Sequence, residues 1–157
     1  MSQLTFTWTL RHQGWAYCKV ADDQGEATVI ASDITLGPER FLDAITKMAV
    51  TDTETRAEFE GEPQVSRWFF KRDDSDVAIR LMLASDRDAP DTSGTVIWSS
   101  RQPITVLCQA VIDAFDQAVQ ELGEAGYREQ WGRPFPRNEL EELRTAWRND
   151  AARENTA

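Results

Sequence analysis

The chain opens on an unbroken alternation. Leu4, Phe6, Trp8 and Leu10 occupy one set of positions and Thr5, Thr7 and Thr9 the other, which is the two-residue period of a strand buried on one face. Arg11 to Gly14 reads as a turn and Trp15 to Ala21 as a second strand. Asp22 to Gly25 is another turn, and Glu26 to Ser32 a third strand. Strands joined directly by turns predict an antiparallel meander. The period then changes. Gly37-Pro38 opens a helix whose apolar stripe is Phe41, Ile45 and Met48, with proline where its missing N–H costs nothing. Thr51 with Glu54 three residues on has the form of a capping box. It predicts a short second helix ending near Gly61, polar all round apart from Ala57 and Phe59 and therefore on the surface.

A second run of strands follows at Val65 to Arg72, Asp76 to Ala84 and Thr95 to Ser100, with Val77, Ile79, Leu81 and Leu83 as its clearest inward row. Pro103 opens the longest helix. Ile104, Leu107, Cys108, Val111, Phe115, Ala118 and Leu122 fall on one face at spacings of three and four, and Gly123 and Gly126 are natural stops. Tyr127 to Pro136 is too rich in proline for regular structure. Asn138 with Glu141 caps a last helix carrying Leu140, Leu143 and Trp147. Residues 149–157 read as a frayed tail. Strands in runs rather than alternating with helices predict an α+β domain over residues 1–148, an antiparallel sheet of about six strands with helices mainly on one face.

Composition adds bounds rather than identity. The chain has 157 residues, 41% hydrophobic and 28% charged. Area scaling gives a folded surface of roughly 8,000 Å² against roughly 26,000 Å² for the extended chain, so a core forms without metal or disulfide staples. No apolar run reaches the roughly 18–20 residues of a membrane span, and the N-terminus lacks the basic and apolar regions of a signal peptide. The expectation is a cytoplasmic protein, with Cys18 and Cys108 as small buried hydrophobes in a reducing compartment.

The charge is −10, from 27 acidic and 17 basic residues, which argues against nucleic-acid binding through phosphate neutralisation. Acidity is concentrated centrally. Residues 51–100 carry eleven acids against six bases. Glu54, Glu58, Glu60, Glu62, Asp73, Asp74, Asp76, Asp86 and Asp88, most of them on predicted turns and the predicted short helix, are candidates for contact with a basic protein. The six tryptophans divide. Trp8, Trp68 and Trp147 share apolar rows with other core residues, whereas Trp15, Trp98 and Trp131 are less tied. Trp131 with Arg133 pairs two residue types common at interface centres, and the same segment could instead fold back as a lid over the helix ends.

Catalytic patterns are sparse. The single histidine, His12, stands in a turn without a second histidine or cysteine nearby, which leaves no usual zinc set and no nucleophile–base pair with a recognisable elbow. Asp86-Arg-Asp88-Ala-Pro-Asp91 lacks the central glycine and closing glutamate of a calcium loop, and no phosphate-binding glycine loop is present. No cofactor or metal is expected. An alternative to protein binding is a small-molecule pocket, or an enzyme without familiar motifs, between the sheet and the long helix, with Tyr17, Arg80 or Tyr127 supplying polar contacts.

The stretch GYREQWGRPFP at 126–136, followed by ELEEL at 139–143, resembles the C-terminal end of a group of small uncharacterised actinobacterial proteins. FTWTL at 6–10 and GTVIWSS at 94–100 look like that group too, so the likeness spans most of the chain. It implies no activity and no catalytic residue. In size, acidity and plan the chain also resembles immunity proteins of polymorphic bacterial toxin systems, which implies neutralisation of a basic toxin or effector.

Overall fold

The computed structural model describes residues 3–156. Strands β1 (Thr5–Leu10), β2 (Trp15–Ala21) and β3 (Glu26–Ser32) form the expected meander, with Phe6 facing Val20 and Trp8 facing Cys18 across the first ladder. Helix α1 (Gly37–Val50) follows with Pro38 in its first turn. The next four strands, β4 (Glu54–Glu60), β5 (Val65–Asp73), β6 (Asp76–Ala84) and β7 (Thr95–Pro103), make a second antiparallel sheet in sequence order. The chain is therefore α+β with two sheets, of three strands and four, rather than one sheet of about six.

The extra strand is β4, where a capping box predicts a helix. Thr51 in fact closes α1: its N–H and hydroxyl both reach the Lys47 carbonyl. Beyond it Ala57 and Phe59 are buried and alternate with Glu54, Arg56 and Glu58, a period of two with too few apolar residues to stand out. Pairing with β5, from Glu54 opposite Lys71 to Glu60 opposite Val65, overrides the local helix signal.

Helix α2 spans Ile104–Trp131, further than the expected stop near Leu122. Gly123 breaks the helical phase (φ 70°, ψ 165°), and helical backbone resumes as far as Trp131, through the first half of the segment expected to be irregular, while residues 132–136 are irregular as expected. The reason lies in spacing: Tyr127 and Trp131, four residues apart and fully buried, share one inward face. Helix α3 (Arg137–Thr156) begins just after Pro136, so Asn138 lies in its first turn rather than capping it. It also continues through residues 149–156, expected as a tail; Ala157 lies outside the described residues.

The two sheets and the helices share one aromatic core. Phe6 (β1), Phe41 (α1), Phe59 (β4), Trp68 and Phe70 (β5) meet with ring centroids 5.2–6.4 Å apart. Trp8 touches Phe59, Phe115 and Trp131 at 5.4–5.5 Å, and its indole N–H donates to the Tyr127 hydroxyl at 3.0 Å. Each such ring pair adds about 0.5–1.5 kcal/mol beyond the area it buries. Cys18 and Cys108 are free and buried, and burial pushes both thiols up to about 12. Among the described residues no helix is long and apolar enough to cross a membrane.

The α2–α3 corner is locked onto the β3–α1 loop. Gly132 takes φ 96° at the end of α2, and the Arg133 Nε–H donates to the Asp33 carbonyl at 2.6 Å. The Gly14 N–H donates to the Gln130 carbonyl, and the Asp33 N–H to that of Gly14. A Cβ on Gly132 would stand 2.5 Å from the Asp33 carboxylate. Gly132→Ala is expected to lower stability by about 1–3 kcal/mol, the usual cost of a left-handed non-glycine residue. An Asp33→Ala background should recover only the part due to the clash, as urea denaturation of the four proteins in the cycle will show.

Glu39, in the first turn of α1, is half-buried. Burial raises its carboxyl above the ordinary value, and Glu139 adds to the rise against Arg133 and Arg40. A carboxyl raised in the folded state binds protons there more readily than in the unfolded chain, so stability falls as pH rises through that range. Glu39→Gln is therefore expected to stabilise the protein at pH 7. The gain should close as pH falls to about 4, near the unfolded value, in thermal melts across that range.

Candidate binding groove on the four-stranded sheet

Alternation sends one side of each strand into the core and the other to solvent. On the solvent side of the four-stranded sheet, register aligns the residues into three transverse rows. Glu54, Lys71, Ala78 and Arg101 form the first; Arg56, Phe69, Arg80 and Ser99 the second; Glu58, Arg67, Met82 and Val96 the third. The third row is partly roofed by the β6–β7 loop, residues 85–94. Arg67 is only 3% exposed although it points away from the core. Its Nε–H donates to Glu58 at 2.8 Å, and its two terminal nitrogens donate to the carbonyls of Pro90 at 3.2 Å and Arg87 at 3.1 Å. One buried guanidinium thus fastens the loop through two backbone acceptors and, with Glu58, places three of its five N–H donors.

The first two rows stay open and line a groove of about 870 Å³, within the size range of ligand sites. Phe69, half-buried, lies at its centre between two cations. The Arg56 and Arg80 guanidiniums stand 5.2 and 4.7 Å from the ring centroid, a cation–π arrangement on both sides. Arg56 also donates to Asp91 in the loop and to Glu58 at 3.0 Å, and this holds the Asp91 carboxyl below its ordinary range. Lys71 is 3.7 Å from Glu54, and Arg101 pairs with Asp73 at 2.7 Å and Asp76 at 3.2 Å. Arg80 has no carboxylate partner among the described residues.

The acidic candidates do not gather into one field. Glu54, Glu58, Asp73 and Asp76 are paired to the cations just named. Glu60 is buried, with one oxygen accepting the Glu62 N–H and the other 3.4 Å from Arg87. Asp74 occupies the β5–β6 turn with φ 56°. Asp86 accepts the N–H of Asp88 inside its own loop. Register separates them further: Asp73 opposes Asp76 at one end of the β5–β6 ladder, whereas Val65 opposes Ala84 at the other. Glu62, Asp86 and Asp88 lie at that second end, exposed.

Trp131 is fully buried in the core, and Arg133 is a lock on the β3–α1 loop, so this segment folds back rather than offering an aromatic surface. The three small-molecule candidates are dispersed. Tyr127 is buried under Trp8, and Tyr17 lies on the outer face of the three-stranded sheet beneath Arg11 at 5.6 Å. Arg80 alone is in the groove. Aromatic side chains fill the space between β1 and α2 where a pocket was expected. His12 is exposed in its turn, and among the described residues no three His, Cys, Asp or Glu side chains gather as a metal site.

No family model and no curated protein matches this chain. The groove is thus read from its own chemistry. Sequence reasoning missed Phe69, although the signal was there: with Trp68 and Phe70 inward, Phe69 must point outward between Arg67 and Lys71.

Arg67→Met is expected to leave the Arg87 and Pro90 carbonyls without their charged donor and to cost about 1.5–3 kcal/mol. Limited trypsin digestion provides the local readout, since the bond after Arg87 should be cut faster in the variant than in the parent.

Proposed function

We propose that this chain is a binding protein whose partner docks in the Phe69 groove. The observation that carries the reading is the row Arg56–Phe69–Arg80–Ser99. A half-buried phenyl ring on the solvent side of the sheet, flanked by two guanidiniums, adds less to the core than its inward neighbours, yet with them it forms one joint apolar and cationic surface. Aromatic and arginine side chains are the residues that most often dominate binding energy at contact centres.

A second reading keeps the acidic surface as the contact for a basic protein, as in a toxin-neutralising immunity factor. It is supported by Glu62, Asp86 and Asp88, exposed at one end of the four-stranded sheet and without cation partners among the described residues. Electrostatic steering would then make association strongly salt-dependent.

Affinity chromatography from the native host with three baits separates the two. The parent chain should retain a protein or small molecule, identified by mass spectrometry, that Phe69→Ala loses and that the triple variant Glu62→Gln, Asp86→Asn, Asp88→Asn keeps. The reverse pattern would replace the groove reading with the acidic one.

A further inference from the structure

Resting on the groove as the docking place, we infer that its occupant is a small organic anion with a flat apolar body. Ala78 is the reason. It is an exposed residue with almost no side chain, and its neighbours across both ladders are cations: Lys71 on β5 and Arg101 on β7. Arg80 follows two residues along the same strand on the same face, opposite Ser99. The small side chain therefore leaves a hollow framed by three positive groups and a hydroxyl, with the Phe69 ring diagonally beside it. Cross-strand neighbours of this kind lie about 4.5–5.5 Å apart and diagonal ones about 7–8 Å, a frame that fits a carboxylate or phosphate.

The charges in the frame are not equivalent. Lys71 and Arg101 already have carboxylates at the rim, and Arg56 has the loop carboxylate Asp91. Among the described residues Arg80 is the groove cation without a carboxylate partner, and it is held over Phe69, where its N–H donors can meet a ligand oxygen. The carboxylates beside Arg56, Lys71 and Arg101 offset those charges, so the charge an incoming anion answers is that of Arg80, within a Debye length of about 10 Å at 0.1 M salt. The flat body of the ligand packs on Phe69 and the guanidinium planes, which stack on π surfaces. An anion alone would use the frame but not the ring, and a neutral aromatic the ring but not the frame.

The test titrates phenyl phosphate and, separately, benzoate into the isotopically labelled full chain while amide shifts are followed. Saturable shifts centred on Phe69, Ala78, Arg80 and Ser99 are expected. Benzyl alcohol should bind at least about tenfold more weakly, as for loss of one charge-assisted contact, and inorganic phosphate by about the same factor for loss of the buried apolar ring. Arg80→Gln should weaken the aryl anions by a similar factor. Ala78→Leu, which fills the hollow without removing a charge and suits an exposed strand position, should abolish the response while melting like the parent. Shifts spread over cations elsewhere, inorganic phosphate binding as well as phenyl phosphate, indifference to both substitutions, or response to an acidic peptide in place of the aryl anions would each overturn the inference. If Phe69→Ala loses the native partner while neither aryl anion binds, the docking reading stands and this one falls.

Discussion

The indole of Trp8 is the point through which the parts of this molecule are joined. It projects from the first sheet, meets Phe59 from the second, and stacks on Phe115 in the first half of α2. It also reaches past the Gly123 break to Trp131 and the Tyr127 hydroxyl. Neither sheet could bury its apolar face alone, and the aromatic set around Trp8 and Trp68 is what both share. The hydrogen bond to Tyr127 satisfies a donor that would otherwise be buried unpaired, a situation costing about 1–3 kcal/mol. It also fixes the rotation of the second half of α2, and so the place where Arg133 meets the β3–α1 loop.

With the inner faces committed to that core, the outer face of the four-stranded sheet is governed by charge. Nearly every cation there has a carboxylate across a ladder or from the β6–β7 loop, so a face drawn from the most acidic stretch of the chain is locally close to balanced. The overall charge of −10 is thus a poor guide to what any one surface presents. Exposed pairs of this kind contribute at most about 1 kcal/mol each. Their greater effect is on position: they hold long side chains in place around Phe69 and leave Arg80 as the exception.

The strands with clear alternation were legible from sequence, as was the start of α1, because period and turn chemistry agree there. Segment 54–60 was misread because Thr51 and Glu54 mimic a helix start, and only the pairing with β5 reveals the strand. For the GYREQWGRPFP segment, the fold-back alternative is the one that holds. Its tryptophan and arginine look like contact residues, and both are spent on internal packing. The groove was illegible for a deeper reason: Arg56, Phe69, Ala78 and Ser99 come from four strands, and only the register of three ladders brings them side by side. Arg80 was singled out by residue type, with no indication of its neighbours.

The fastening of the β6–β7 loop has a consequence for how this protein can change over generations. Arg67 grips the loop by the carbonyl oxygens of residues 87 and 90, groups that every amino acid carries. Substitutions among the exposed residues at 86, 88 and 92 therefore leave the attachment intact while altering the charge and shape at the groove's edge. Asp91 is the exception, since its side chain neutralises Arg56. The side chains on the loop's outer edge can thus vary while its attachment, made through main-chain oxygens, and the sheet beneath stay as they are.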